Sequence, residues 1–168
     1  MKRILILNGS PRKNGKTASL IKAFTEGAET SGNEVRNLYI SEMDIKGCIA
    51  CEACSQNGGN CIQKDDMIQV NEAVEWAEVI VFASPMYWGI ITGQLKIVID
   101  RLYAECNKLG WKGFNKETAL IMTARGDYYQ QSLDFYSIFT DMMKWKNWGT
   151  VLGAGKEKEA YAIGASIN

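Results

Sequence analysis

Histidine is absent from all 168 residues. The absence removes every Ser/His or Cys/His catalytic pair, every imidazole metal site and the usual near-neutral general base. No charge of one sign is in excess either: 19 Lys and Arg balance 19 Asp and Glu. The molecule as a whole therefore has no field that favours nucleic acid or an anionic membrane. Long apolar runs are missing. The opening MKRILILNGS carries only ILIL before Asn8 and Gly9, too little for a signal-peptide core or a membrane span, so the expected compartment is the cytoplasm. Proline is scarce, and Pro11 and Pro85 each follow a Ser that closes an apolar run. With 46% apolar and 23% charged residues and no low-complexity tract, the chain reads as a folded domain, long enough to bury roughly 70% of its unfolded surface.

Strand and helix patterns alternate along the chain. The continuous apolar run 4–7 fits a parallel strand buried on both faces. The stretch 18–31 carries Leu20, Ala23, Phe24, Gly27 and Ala28 on one helical face and stops at Gly32. Strands are expected at 34–40 (EVRNLYI), 79–84 (VIVFAS) and 119–123 (ALIMT), with an edge strand at 149–152. Helical stripes follow at Val70, Ala73, Val74, Ala77, where Asp65 or Asp66 can cap; at Leu95, Val98, Ile99, Leu102; and at Phe135, Ile138, Phe139, Met142. The tail after Gly155 shows one weak helical segment at 157–163, short for a closing helix. This alternation predicts an α/β fold, a parallel sheet with helices on both faces, in a single domain over 1–168. One stretch breaks it: residues 41–64 hold four of the five cysteines, and a connection that long in a compact domain points to function.

Two turns carry the ligand chemistry. Gly9 to Thr17 (GSPRKNGKT) joins a buried strand to a helix start, where exposed amides, the Ser10 and Thr17 hydroxyls, the Asn14 amide and the helix dipole would surround a phosphate. From Lys2 to Lys22 there are six basic residues and no acidic one. The stretch nearly spells the triphosphate loop GxxxxGK[ST]. However, Ser10 stands where its first Gly belongs, and the third strand ends in Ser84 rather than a magnesium-binding Asp, which weakens an NTPase reading. The second turn, SPMYWG at 84–89, leaves the neighbouring strand at the edge where open α/β sheets bind ligands. Tyr87 and Trp88 offer flat surfaces there to a planar heterocycle, or pack as core or interface aromatics.

GSPRKNGKT at 9–17 together with SPMYWGIITGQLKIVIDR at 84–101 resembles the flavodoxin-like NAD(P)H-dependent FMN reductase superfamily. CIACEACSQNGGNC at 48–61 is similar to its iron–sulfur flavoprotein branch. The resemblance reaches to about Gly155. It implies a doubly wound five-stranded parallel sheet of order 2-1-3-4-5. By position, it implies that Ser10, Arg12, Asn14, Gly15, Lys16 and Thr17 hold the FMN phosphate, and that Pro85, Met86, Tyr87, Trp88 and Gly89 hold the ribityl chain and ring. The loop after the fourth strand, Thr123, Ala124, Arg125 and Gly126, is implied as a third contact. Lys16 departs from the Asn or Ser more usual in the family, and the abbreviated C-terminus departs as well. The resemblance also implies a homodimer or homotetramer, NAD(P)H as co-substrate, and a small-molecule redox substrate or ferredoxin-like carrier as partner.

Cys48, Cys51, Cys54 and Cys61 follow C-x2-C-x2-C-x6-C, a spacing that suits a [4Fe–4S] cluster, whereas structural zinc more often uses two separated CxxC knuckles. Free thiols or an oxidisable pair are the competing reading. Two functions remain open on the residues: electron transfer between FMN, a cluster and a carrier, or FMN or quinone reduction by NAD(P)H with the cysteines as thiols. Cys106 reads as a buried thiol, and Trp111 and Phe114 as packing under a Gly-rich loop or at a subunit contact.

Overall fold

The computed structural model describes residues 1–168. Five strands, β1 (Arg3–Asn8), β2 (Glu34–Tyr39), β3 (Val79–Pro85), β4 (Glu117–Thr123) and β5 (Lys146–Leu152), form one sheet in the order β2-β1-β3-β4-β5, with every pairing parallel. The helices are α1 (Lys16–Thr30), α2 (Ala53–Gln56), α3 (Met67–Trp76), α4 (Gly93–Arg101), α5 (Tyr103–Leu109), α6 (Gln130–Met143) and α7 (Glu157–Ser166). The expected flavodoxin-like topology is therefore present, with its strand order.

The apolar runs of β1, β3 and β4 make sense in this arrangement because successive side chains alternate between two cores. Leu5, Leu7, Ile80, Phe82, Leu120 and Met122 face one layer, packed with Met67, Val70, Leu95 and Val98. Ile4, Ile6, Val79, Val81 and Ile121 face the other, with Leu20, Phe24 and Ala28 of α1 and Ala160 of α7. Each fully buried Leu, Ile or Phe contributes about 1.5–3 kcal/mol of transfer free energy.

Four details differ from the sequence reading. First, α6 turns a different face inward. Ser132, Tyr136, Thr140 and Met143 are buried, whereas Ile138 and Met142 are 61% and 65% exposed. Phe135 and Phe139 are half-buried against the core. Polar groups on the inner face are acceptable because Tyr136 Oη donates to Thr118 Oγ1 or Asn147 Oδ1, 3.2 and 3.1 Å away. Second, the helix expected through Leu102 is two helices, α4 and α5, meeting at that residue. Third, the pair Trp111 and Phe114 is divided: Phe114 packs as expected, fully buried edge-on to Trp145, whose Nε1 donates to the Phe114 carbonyl at 2.8 Å, whereas Trp111 is half exposed beside Tyr103.

Fourth, the tail is a closing helix. α7 lies on α1 with almost no gap: a Cβ on Gly164 would come 2.1 Å from the Phe24 carbonyl oxygen, and one on Gly27 would come 2.1 Å from that of Tyr161. Small residues rather than large apolar ones make the contact, which is why a search for an apolar stripe undervalues it. Asn33 adds a strut, its Nδ2 donating to the Ile167 carbonyl at 2.9 Å. Gly164→Ala must push the two helices apart. It is expected to cost about 2 kcal/mol and lower the thermal midpoint by roughly 5 °C or more, measured by calorimetry.

Candidate functional site

The carboxyl ends of β1, β3 and β4 are joined directly to one another. Gly9 N–H donates to the Ala83 carbonyl at 2.8 Å. Thr92 Oγ1 donates to the Gly9 carbonyl at 3.0 Å, and Thr92 N–H donates to Ser84 Oγ at 2.9 Å. Gly9 has no room for a side chain, since a Cβ would meet Thr92 Oγ1 at 2.6 Å. On the other side, Met86 N–H donates to the Thr123 carbonyl at 2.7 Å, and the Thr17 and Thr123 hydroxyls share a hydrogen bond of 2.7 Å.

Between these tips lies a cavity of about 790 Å³. The β1–α1 loop contributes Ser10, Pro11, Arg12, Gly15, Lys16 and Thr17; the β3–α4 loop contributes Pro85, Met86, Tyr87, Trp88 and Gly89; the β4–α6 loop contributes Thr123, Ala124, Arg125, Gly126 and Tyr128. Of the site residues expected from the sequence, Asn14 lies outside it, in an adjoining recess with Arg12, Gly15, Lys16 and Ser19. Tyr128, highly exposed at the rim, was missed. The signal was its position just beyond a loop already assigned to the site.

One end of the cavity is built for an anion. Helix α1 starts at Lys16 with Gly15 as a cap that offers no side-chain hydrogen bond, and its first turn has no acid. The earliest backbone bond into the helix is from Ser19 N–H to the Gly15 carbonyl, so the N–H groups of Lys16, Thr17 and Ala18 have no helical partner. Ser10 Oγ accepts from Arg12 N–H at 3.3 Å, leaving its proton to donate. Thr17 is buried, and its hydroxyl shares a hydrogen bond with that of Thr123 in which either can be the donor, a contact that braces the loop. Lys13 turns away to an ion pair with Glu42.

The other end is flat and aromatic. Tyr87 N–H donates to the Ile90 carbonyl at 2.8 Å and Ile90 N–H returns to that of Tyr87 at 3.2 Å. Trp88 at φ 52° and Gly89 at φ 84° occupy the two central positions, the pattern of a type I′ turn. A left-handed Trp costs about 1–2 kcal/mol, and strain of this kind gathers at functional sites. The turn holds the Trp88 side chain fully in solvent at the cavity rim. The N–H groups of Trp88, Gly89, Arg125 and Gly126 bond to nothing else in the chain and are free for a heterocycle's polar edge.

These features fit FMN, an anion at one end and a planar heterocycle at the other. They do not extend to a metal centre among the cysteines. No three Cys, Asp or Glu side chains gather into a metal-holding group, so the expected set Cys48, Cys51, Cys54 and Cys61 is not assembled. Cys48 and Cys51 are exposed on a stretch where Ala50 and Glu52 adopt positive φ. Cys54 and Cys61 are half-buried, their sulfurs accepting from Asn107 Nδ2 and Arg101 Nη2. In this arrangement the four sulfurs are not gathered around one point.

The sequence model described as NADPH-dependent FMN reductase matches residues 2–145. The chain belongs to this family. Among curated relatives, an iron-sulfur flavoprotein of Archaeoglobus fulgidus is 39% identical over 102 residues, 61% of this chain and 46% of that protein. An iron-sulfur flavoprotein of Methanosarcina thermophila is 35% identical over 99 residues, 59% and 51% of the two chains. The chain spans about half the length of these relatives. Of solved structures, RosB with bound 8-demethyl-8-formylriboflavin-5′-phosphate superposes with a TM-score of 0.79 at 18% identity, over 98% of this chain and 77% of that one. An NAD(P)H:quinone oxidoreductase from Methanothermobacter marburgensis gives 0.70 at 16% identity over 99% of both chains. The structural likenesses show the fold, and the family is one of flavin-dependent oxidoreductases.

Beneath the cysteine segment, this FMN reductase family member has a second, polar recess of about 300 Å³ that includes Cys61, Asn71, Arg101 and Glu105. Glu105 is buried with Oε2 lacking a protein partner. Burial, followed by repulsion from Glu75, raises its carboxyl above the usual range. Cys106 beside it is pushed up to about 11 by burial and then by Glu105, which makes it an inert thiol. An acid whose folded pKa is raised stabilises the fold fully below its unfolded value, and this stability is lost as pH rises through the folded value. Glu105→Gln is therefore expected to melt above the wild type at pH 8, with the gap closing towards pH 4, in paired thermal melts.

Proposed function

We propose that the chain binds one FMN in the strand-tip cavity and serves as a flavin-dependent oxidoreductase reduced by NAD(P)H. The observation that carries this reading is the two-ended cavity, with unpartnered helix-start amides and two basic side chains at one end and the Tyr87–Trp88 turn at the other. On this reading Ser10, Arg12, Lys16 and the α1 amides hold the phosphate, with Asn14 steering from the adjoining recess. Pro85, Met86 and Gly89 shape the floor under the ribityl chain and ring, and Thr123 to Gly126 close the third side. Bound FMN would supply hydride acceptance and the release of electrons one at a time. The chain's own contribution is orientation and control of access: the rigid turns keep the ring's approach narrow, and the exposed Trp88 and Tyr128 faces bracket whatever planar substrate arrives. With no histidine in the chain, protons at the site would come from backbone amides, hydroxyls or solvent.

On the same reading, residues 1–168 act as a single FMN-binding domain with the cysteine segment as its appendage. Partners are small-molecule redox substrates rather than nucleic acid or membrane, the assembly is a homodimer or homotetramer, and the compartment is the cytoplasm. No helix is long and apolar enough to cross a membrane.

A second reading is favoured by the C-x2-C-x2-C-x6-C spacing and by the names of the relatives at 35–39% identity. In it the four cysteines hold a [4Fe–4S] cluster that exchanges electrons with the flavin and a ferredoxin-like carrier. The segment would have to rearrange to gather its sulfurs.

Anaerobic purification followed by flavin, iron and sulfide analysis tests both. The first reading predicts a yellow protein with one FMN per chain, free of iron and sulfide and bleached rapidly by NADPH. Lys16→Ala and Arg12→Ala should each weaken FMN binding by about tenfold. Iron and sulfide in equal amounts, with bleaching by reduced ferredoxin faster than by NADPH, establish the second. A colourless protein that takes up no flavin overturns both.

A further inference from the structure

The cysteine segment leaves and rejoins the fold through a single neck. Asp44 N–H donates to Asp66 Oδ2 at 2.8 Å, and Asp66 N–H donates back to the Asp44 carbonyl at 3.1 Å. Lys46 N–H donates to Asp65 Oδ2 at 3.1 Å, and Gln63 Nε2 donates to the Gly47 carbonyl at 3.1 Å. Residues 47–64 thus form an excursion whose ends are held together and which carries all four cysteines of the segment. Its far side leans on α5. Gly59 meets Lys108 so closely that a Cβ would lie 2.6 Å from the Lys108 backbone nitrogen.

Arg101, the last residue of α4, fills the neck. Its side chain and that of Asp65 are 2% and 1% exposed. Nη1 donates to the Lys46 carbonyl at 2.7 Å and to Asp65 Oδ2 at 2.8 Å; Nη2 donates to Asp65 Oδ1 at 3.2 Å and to Cys61 Sγ at 3.4 Å. One planar fork therefore grips the incoming strand of the neck, the outgoing strand and one sulfur. A lysine could not reproduce this geometry. Nothing in the flavin cavity explains a buried guanidinium here.

We propose that Arg101 is the positioning residue of the cysteine segment. Clamped to Asp65, it keeps the neck closed and holds Cys61 inward while Cys48 and Cys51 face solvent, so that oxidants, electrophiles and redox partners meet the outer pair first. The proposal stands on the neck geometry and concerns the segment with its four cysteines as thiols.

The test is peptide-resolved alkylation by iodoacetamide of the full-length, FMN-loaded, iron-chelated protein without air. Cys106, buried in α5, is the internal reporter of global opening. In the wild type, Cys48 and Cys51 should react about tenfold faster than Cys61 or more. Arg101→Gln and Asp65→Asn should each bring Cys61 to within about threefold of Cys51 while Cys106 stays unmodified, and Arg101→Lys should fall between. Equal wild-type rates at Cys61 and Cys51 would overturn the proposal, as would a Cys61 rate unmoved by both substitutions. So would Cys61 and Cys106 opening together in both variants, because the pair would then hold the whole fold rather than the neck.

Discussion

Thr92 reaches from the β3–α4 loop to the Gly9 carbonyl, and the hydroxyls of Thr17 and Thr123 form a hydrogen bond between the start of α1 and the end of β4. These short, buried contacts make one rigid rim out of three strand ends. A phosphate grip and an aromatic turn are useful together only at a fixed separation, because binding energy spent on ordering loops is lost from affinity. Each crosslink is a neutral hydrogen bond worth only about 0.5–1.5 kcal/mol. Their effect is to remove freedom from the loops before any ligand arrives. The parallel sheet supplies the rest, since it delivers the three loops to the same edge.

The same economy explains where strain and unpaired groups are found. Trp88 is left-handed and fully exposed, and the first-turn amides of α1 have no cap. Either feature alone would weaken a protein. Both occur on the rim of the strand-tip cavity, where a ligand's anionic tail would satisfy the amides and its flat head would cover the Trp88 ring. Buried polar groups elsewhere are mostly satisfied. The exceptions include Glu105 Oε2 and Arg101 Nε, beside the polar recess under the cysteine segment.

Much of this was legible in the sequence, because the signals were local. The runs ILIL and VIVFAS fit buried parallel strands, and two Ser-Pro turns at their ends marked the binding edge. What escaped was set by tertiary partners. Tyr136 is buried in place of Ile138 because Thr118 and Asn147 bond its hydroxyl. The closing helix escaped because Gly27 and Gly164 pack by what they lack. The bond between the Thr17 and Thr123 hydroxyls, 106 residues apart, left no local signal either. The cysteine spacing was legible as a pattern, but its arrangement is governed by Arg101, an unremarked residue at the end of a helix.

Everything rests on an anion being held at the start of α1, and side-by-side equilibrium binding of FMN and riboflavin isolates that grip, since the two ligands differ only in the phosphate. With several charge-assisted bonds at stake, the account predicts FMN tighter by about 100-fold or more, roughly 2.7 kcal/mol. Affinities within about threefold of each other would contradict it and place the flavin, if bound at all, somewhere other than the strand-tip cavity.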